Sequence, residues 1–170
     1  MKLLLPFLFI LFCSVLCTGQ LKIKSNIGVS VIEHISLGVT AQLGKSHSLT
    51  ALFGSNFFYK PRNFSNIFLQ YEYSFQKLTI KKITPNIGVR GGDSYFSDSY
   101  YRWHVMNIIP YVGGNYSFSN KISFFFQGGV SIAFLQSVER RTLGDVGTYR
   151  QYLPEFKIGA CYTLYEGKKK

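Results

Sequence analysis

Charge is scarce in this chain. Only 16% of its 170 residues are Asp, Glu, Lys or Arg, while 17% are aromatic. That balance excludes an intrinsically disordered protein, which is rich in charge and poor in aromatics. Cysteine is scarcer still. Cys13, Cys17 and Cys161 are the whole complement, and no Cys/His spacing resembles a zinc or haem site. Long apolar runs are missing too. The longest, residues 3–12, falls well short of the roughly 20 residues that a membrane-spanning helix needs. What the chain has in plenty is Gly (16), Phe (16) and Tyr (12). In a length that suits one domain, this composition favours strands and turns over helices.

The N-terminus reads as an export signal. Lys2 precedes the apolar run, and small residues follow as far as Gly19, the pattern of a secretory signal peptide. The expected division is a signal over residues 1–19, cleaved before Gln20, and one domain over 20–170. Lipidation is not expected, because Cys13 follows Phe12 and Cys17 follows Leu16 rather than a small residue. The mature chain then keeps Cys161 alone and can form no internal disulfide, so something else must hold the domain together. Cys161 itself reads as a small core residue rather than a nucleophile.

Beyond Gln20 the dominant signal is alternation with period 2, repeated eight times. Ile27, Val29 and Val31 alternate with Asn26, Gly28 and Ser30; Ile35, Leu37, Val39, Ala41 and Leu43 alternate with Ser36, Gly38, Thr40 and Gln42. Similar apolar sets run through Leu49–Phe53, Ile67–Phe75, Ile83–Val89, Val112–Phe118, Ile122–Phe134 and Phe156–Leu164. Each segment has one apolar face and one small or polar face. A soluble sandwich or lipocalin-like barrel fits that alternation equally well.

The connections discriminate. Residues 44–48, 76–82 and 119–121 form short links, whereas 91–104 and 135–152 are long. Short turns on one side and long loops on the other are the layout of a transmembrane barrel with both termini on the short-turn side. Aromatic residues gather at both rims: Tyr71, Tyr73, Phe75, Tyr116, Phe118, Phe124, Tyr162 and Tyr165 on the short-turn side, and Phe57, Phe58, Tyr59, Tyr101, Trp103 and Phe134 on the other. Two such girdles are what headgroup interfaces select.

Two segments carry a resemblance to the small eight-stranded outer-membrane β-barrel proteins of Gram-negative bacteria. Asn107-Ile108-Ile109-Pro110-Tyr111-Val112-Gly113-Gly114-Asn115-Tyr116-Ser117-Phe118 looks like their penultimate hairpin, and Pro154-Glu155-Phe156-Lys157-Ile158-Gly159-Ala160-Cys161-Tyr162-Thr163-Leu164 like their closing strand. The resemblance spans essentially the whole mature chain. It implies an all-β fold, a single eight-stranded antiparallel up-and-down transmembrane β-barrel. It also implies the outer membrane as location and the barrel-assembly machinery as a partner during insertion. The family's usual terminal aromatic is followed here by Glu166-Gly167-Lys168-Lys169-Lys170, so Leu164 or Tyr165 would have to serve internally. Adhesins, structural barrels and lipid-modifying enzymes share this fold, which leaves function open.

The formal net charge of +11 would ordinarily suggest nucleic acid. Export and placement argue against it. Lys22, Lys45, Lys77, Lys81, Lys82, Lys121, Lys168, Lys169 and Lys170 fall at the short-turn rim, opposed by Glu166 alone. A basic rim suits anionic headgroups, and it equally suits turns that need only solubility. Lys24, Glu72, Arg90, Glu155 and Lys157 fall on the polar face of their strands and are expected to form a lumenal charge network, since eight strands leave a lumen just wide enough for side chains.

Catalysis finds little support. His34 and Ser36 share a strand face beside Glu33, and a His-x-Ser pair resembles that of lipid A deacylases, but here the pair is on the polar face rather than toward lipid. His47 and His104 have no evident carboxylate nearby in sequence. No catalytic, cofactor or metal site is expected. The sequence reads as a non-enzymatic, monomeric barrel that meets outer-membrane lipid and lipopolysaccharide, with recognition in its outer loops, foremost Tyr95, Phe96, Tyr100, Tyr101 and Trp103. A lipid-modifying outer-membrane enzyme and a soluble periplasmic binder of apolar ligands are the alternatives.

Overall fold

A computed structural model describes residues 21–30, 34–55, 63–97, 101–140 and 150–167. The stretch read as a signal, like Phe57, Phe58, Tyr59 and Tyr100, lies outside them. Eight strands follow in chain order: β1 (Leu21–Ser30), β2 (His34–Leu43), β3 (His47–Ser55), β4 (Asn63–Ser74), β5 (Ile83–Ser97), β6 (Tyr101–Ser117), β7 (Ile122–Arg140) and β8 (Arg150–Glu166). Each strand pairs antiparallel with its sequence neighbours, and β1 also pairs with β8, closing the barrel. Closure leaves no unpaired edge. That is the stabilisation expected of a fold without a disulfide.

Alternation decides the facing. Outward positions such as Ile27, Leu37, Phe53, Ile67 and Ile158 are exposed, while their neighbours Asn26, Ser36, Leu52, Asn66 and Lys157 are buried inside. The links that begin at Gly44, Phe75 and Phe118 lie at one end, together with the start of β1 and the end of β8. This is the turn end. Gly44 takes a left-handed φ of 65°, which a glycine adopts without steric cost.

The opposite end differs from the sequence reading. Where they are described, the segments read as long loops are strand: β5 runs on to Ser97 and β6 begins at Tyr101, while β7 extends to Arg140 and β8 begins at Arg150. The ladder continues from Asp93↔Met106 through Tyr95↔His104 to Ser97↔Arg102. Beyond the apolar zone neither face meets lipid or the filled interior, so the apolar–polar alternation fades although the backbone pairing persists. Among the described residues β5, β6 and β7 therefore rise past β1, β2 and β3 as a paired wall. β4 pairs with the end of β5 at Asn63↔Ser97, and β8 joins β7 only from Phe134↔Arg150. Bulges at Ile23/Lys24 and His104/Val105 shift the register locally, adding bend and twist where they occur.

Candidate functional site

The barrel is inverted relative to a soluble one. Its outside carries Val112, Ile67 and Phe156, which are 62%, 64% and 66% exposed. Its inside carries Asn26, Thr40, Thr50, Gln70, Asn107, Gln127 and Ser131, all buried. A soluble apolar-ligand binder needs the reverse arrangement, which removes that alternative. From Phe124 to Phe134 the outward face of β7 spans about ten residue steps, roughly 24 Å along the axis at ordinary strand rise and tilt. An apolar band of about 25 Å is what a bilayer core requires. Among the described residues no helix is long and apolar enough to cross; the strands do so. Tyr71, Tyr73, Phe75, Tyr116, Phe118, Phe124, Tyr162 and Tyr165 ring the turn end on the outside, the girdle expected of an interface.

The lumen is plugged. Arg90 and Glu155 meet 3.3 Å apart, with Arg90 0% and Glu155 1% exposed. The guanidinium also stands 6.0 Å from the ring centres of both Phe68 and Tyr111, within the reach of a cation–π contact. Leu52, Phe68 and Ile109 form a small apolar cluster beside it. Lys157 is likewise buried. Glu72 is held by neutral donors: Asn115 Nδ2 donates to Oε1 at 2.8 Å, Ser74 Oγ to Oε1 at 3.4 Å, and Tyr111 Oη and Gln127 Nε2 each donate to Oε2 at 3.3 Å. The buried charges among the described residues are Glu72, Glu155, Arg90 and Lys157. Their sum is zero. Lys24 stands apart, half-buried in the wall of a polar vestibule, and makes no ion pair among the described residues.

That vestibule occupies the turn-end half of the lumen, about 330 Å³, lined by Lys22, Lys24, Gln42, Ser48, Ser123, Cys161 and Thr163 and ending against Leu52, Glu72, Phe125, Gln127 and Lys157. Large inward side chains fit because glycines face them. A Cβ added to Gly88 would lie 2.3 Å from Tyr111 Oη, and one added to Gly159 would lie 2.4 Å from the ring of Phe125. These inward apolar residues escaped the sequence reading, which followed the outward set. The available signal was an apolar residue at polar parity in mid-strand, as with Phe68 between Ile67 and Leu69.

At the far end, Tyr95 and Trp103 of the cluster read as a recognition element stand at alternate register positions. Tyr95 is 53% exposed and stacks on His104, centroids 4.5 Å apart and planes 9° apart. Trp103 pairs with Phe96 at the alternate register positions, the parity that Tyr101 shares. His104 also corrects an expectation, since its Nε2 lies 2.9 Å from Asp93 Oδ1. The hairpin places Asp93 diagonally across from His104, a juxtaposition that spacing along the chain conceals. His47 is similarly engaged, Nδ1 lying 2.8 Å from Tyr71 Oη. Ser36 is 0% exposed inside the lumen, its Oγ donating to the carbonyl of Gly28 at 3.4 Å. The side chain of His34 lies outside the described residues.

The sequence matches no family model and no curated protein. The backbone is similar to solved barrels. A major outer membrane protein from Thermus thermophilus is 13% identical, with a TM-score of 0.52 over 85% of this chain and 99% of that one. The fold is that of a small outer-membrane β-barrel. Neisserial surface protein A is 12% identical, with a TM-score of 0.47 over 85% of this chain and 95% of that one. A de novo designed transmembrane β-barrel is also 12% identical, at 0.42 over 86% and 96%. At these identities the likeness is one of fold. The role of this small barrel has to come from its own surfaces: an apolar belt, a plugged lumen, a basic turn end and a raised aromatic wall.

Proposed function

We propose that the protein is a non-enzymatic, monomeric β-barrel of the outer membrane, with its turn end in the periplasm and its raised β5–β7 wall outside the cell. The observation that carries this reading is the inverted barrel, with an apolar exterior belt closed around a polar interior. Such a surface is stable only in lipid, and a leader of the kind read in residues 1–19 directs a chain to the envelope. The plug of Arg90, Glu155, Phe68 and Ile109 argues against passage of large solutes. Recognition is assigned to the wall, where Tyr95 and Trp103 present aromatic surface, the residue type that dominates contact sites. Burial of Ser36 in the lumen argues against the lipid-modifying alternative, because its hydroxyl is screened from lipid by the barrel wall.

Membrane fractionation followed by electrophoresis with and without boiling tests the proposal. The protein is expected in the outer-membrane fraction, migrating faster unboiled. A soluble protein with identical mobility in both lanes would overturn it.

A further inference from the structure

The link between β4 and β5 is built differently from its neighbours. Phe75 leads into a single 3-10 turn, Gln76–Leu78. Ile80 and Ile83 then exchange backbone hydrogen bonds of 2.9 Å in both directions, so Lys81 and Lys82 are the two residues of a tight hairpin turn. Both are left-handed, with φ of 45° and 73°. Asn-Gly is the pair that such a turn prefers, because a side chain at positive φ crowds the backbone. Strain of this kind persists only where the surrounding structure enforces it, and it clusters at functional sites.

The tip is also held firmly. Ser117 N donates to the carbonyl of Lys82 at 2.9 Å, Phe75 N to that of Pro85 at 2.8 Å, and Gln76 Nε2 to that of Lys45 at 2.7 Å. What it presents is mixed. Lys77, Lys81 and Lys82 are exposed and make no ion pair among the described residues, and exposed Lys45 stands on the adjoining turn. Glu166, the acidic residue of this rim, is already taken by Lys22 at 2.6 Å. Beside the lysines Leu78 is 58% and Ile80 70% exposed, the latter more than any other large apolar residue described. Both lie beyond the outward belt residues Ile83, Ile87 and Val89, at the very end of the barrel.

We propose that this turn is a docking site for the anionic headgroups of glycerophospholipid in the leaflet at the turn end. The proposal rests on the membrane-barrel reading and names the lipid class and the residues. Lys77, Lys81 and Lys82 meet phosphate, while Leu78 and Ile80 enter the boundary between headgroup and acyl chain. This is the division of labour of an amphipathic interfacial segment. A free anion would use the lysines but would leave the apolar pair in water. The site continues directly from the exterior belt, so a lipid that solvates Ile83 and Ile87 already has its headgroup at the lysines.

The test refolds the mature chain into vesicles of phosphatidylcholine, with and without added phosphatidylglycerol, and reads the urea midpoint from unboiled gel mobility. Wild type is expected to gain stability from phosphatidylglycerol, each lysine contributing a factor of about five in the folding equilibrium, and to lose that gain at high salt. The variant Lys81→Asn/Lys82→Gly relieves the backbone while removing two charges. It should be at least as stable as wild type in phosphatidylcholine yet lose a factor of about 25 from the phosphatidylglycerol gain, and adding Lys77→Gln should remove a further factor of about five. A structural role for the lysines predicts the opposite in phosphatidylcholine. An equal gain in wild type and variant, or no gain in wild type, overturns the site. Inorganic phosphate that reproduces the gain in phosphatidylcholine points to a free-anion site and overturns the lipid assignment. If the substitutions abolish cross-linking to an envelope protein but spare the lipid gain, the turn is a protein contact. Failure to insert into either vesicle would instead sink the membrane-barrel reading itself.

Discussion

Removing one member of the Arg90–Glu155 pair tests the reading of the lumen. At 3.3 Å and an effective dielectric constant of about 20, the attraction is of order 5 kcal/mol. Burial in a site where Arg90 is 0% exposed means that water cannot replace the lost carboxylate. Glu155→Leu leaves a guanidinium between Phe68 and Tyr111 and, with Lys157 also buried, two cations against Glu72. A loss of about 3–5 kcal/mol is expected, as for other broken buried pairs, and nearer the upper end because of Lys157. The double variant Arg90→Met/Glu155→Leu removes both charges and restores neutrality, so it should recover most of the loss and can match wild type. Reversible urea unfolding in lipid vesicles, followed by emission of Trp103, the only tryptophan in the chain, gives all three stabilities. A loss under about 1 kcal/mol, no more than an average substitution costs, would refute the reasoning. So would a double variant no better than the single one.

Three further outcomes follow from the same geometry. Val130, 46% exposed in the outward belt, should tolerate Arg only at a cost of about 2–4 kcal/mol, measured by the same unfolding in vesicles; wild-type stability would mean that the face does not meet lipid. Gly88→Ala would place a Cβ 2.3 Å from Tyr111 Oη and 2.5 Å from the carbonyl of Tyr71, an overpacking expected to cost about 1–3 kcal/mol and checked as a lowered urea midpoint. Trypsin added to intact cells should cut at Arg140, Arg141 or Arg150, with Lys81 and Lys82 reached only after the envelope is opened; the inverse pattern would reverse the topology.

Much of the fold was legible because lipid and lumen impose opposite chemistry on alternate residues. Ile35, Leu37 and Val39 against Ser36, Gly38 and Thr40 state the facing of β2 without ambiguity, and the same rule located each belt segment. It failed where its physical cause ends. From Tyr95 to Ser97 and from Arg102 to His104 the strands rise clear of the apolar zone, so nothing selects an apolar face, and a hairpin looks like a loop. The bulge at Ile23/Lys24 left no trace either, since one skipped residue beside β8 changes a register and not a composition.

The lumen was half legible for a related reason. Polar parity marked Glu72, Arg90, Glu155 and Lys157 as inward, yet parity does not say which of them touch. Strands remote in sequence meet across a narrow interior, and the partners of Glu72 from other strands are Tyr111, Asn115 and Gln127, separated from it by about forty to fifty-five positions. The fillers follow a rule that can be stated in advance. Tyr111 lies over Gly88 and Phe125 over Gly159, so an inward ring in one strand requires a glycine at the facing position of the next. Once the register is known, such pairs predict the height at which the lumen is blocked. Here Phe68 and Tyr111 flank Arg90 at the inner end of the vestibule. Solute entering from the turn end meets a wall there, and the surfaces left to contact other molecules are the belt, the turn end and the β5–β7 wall.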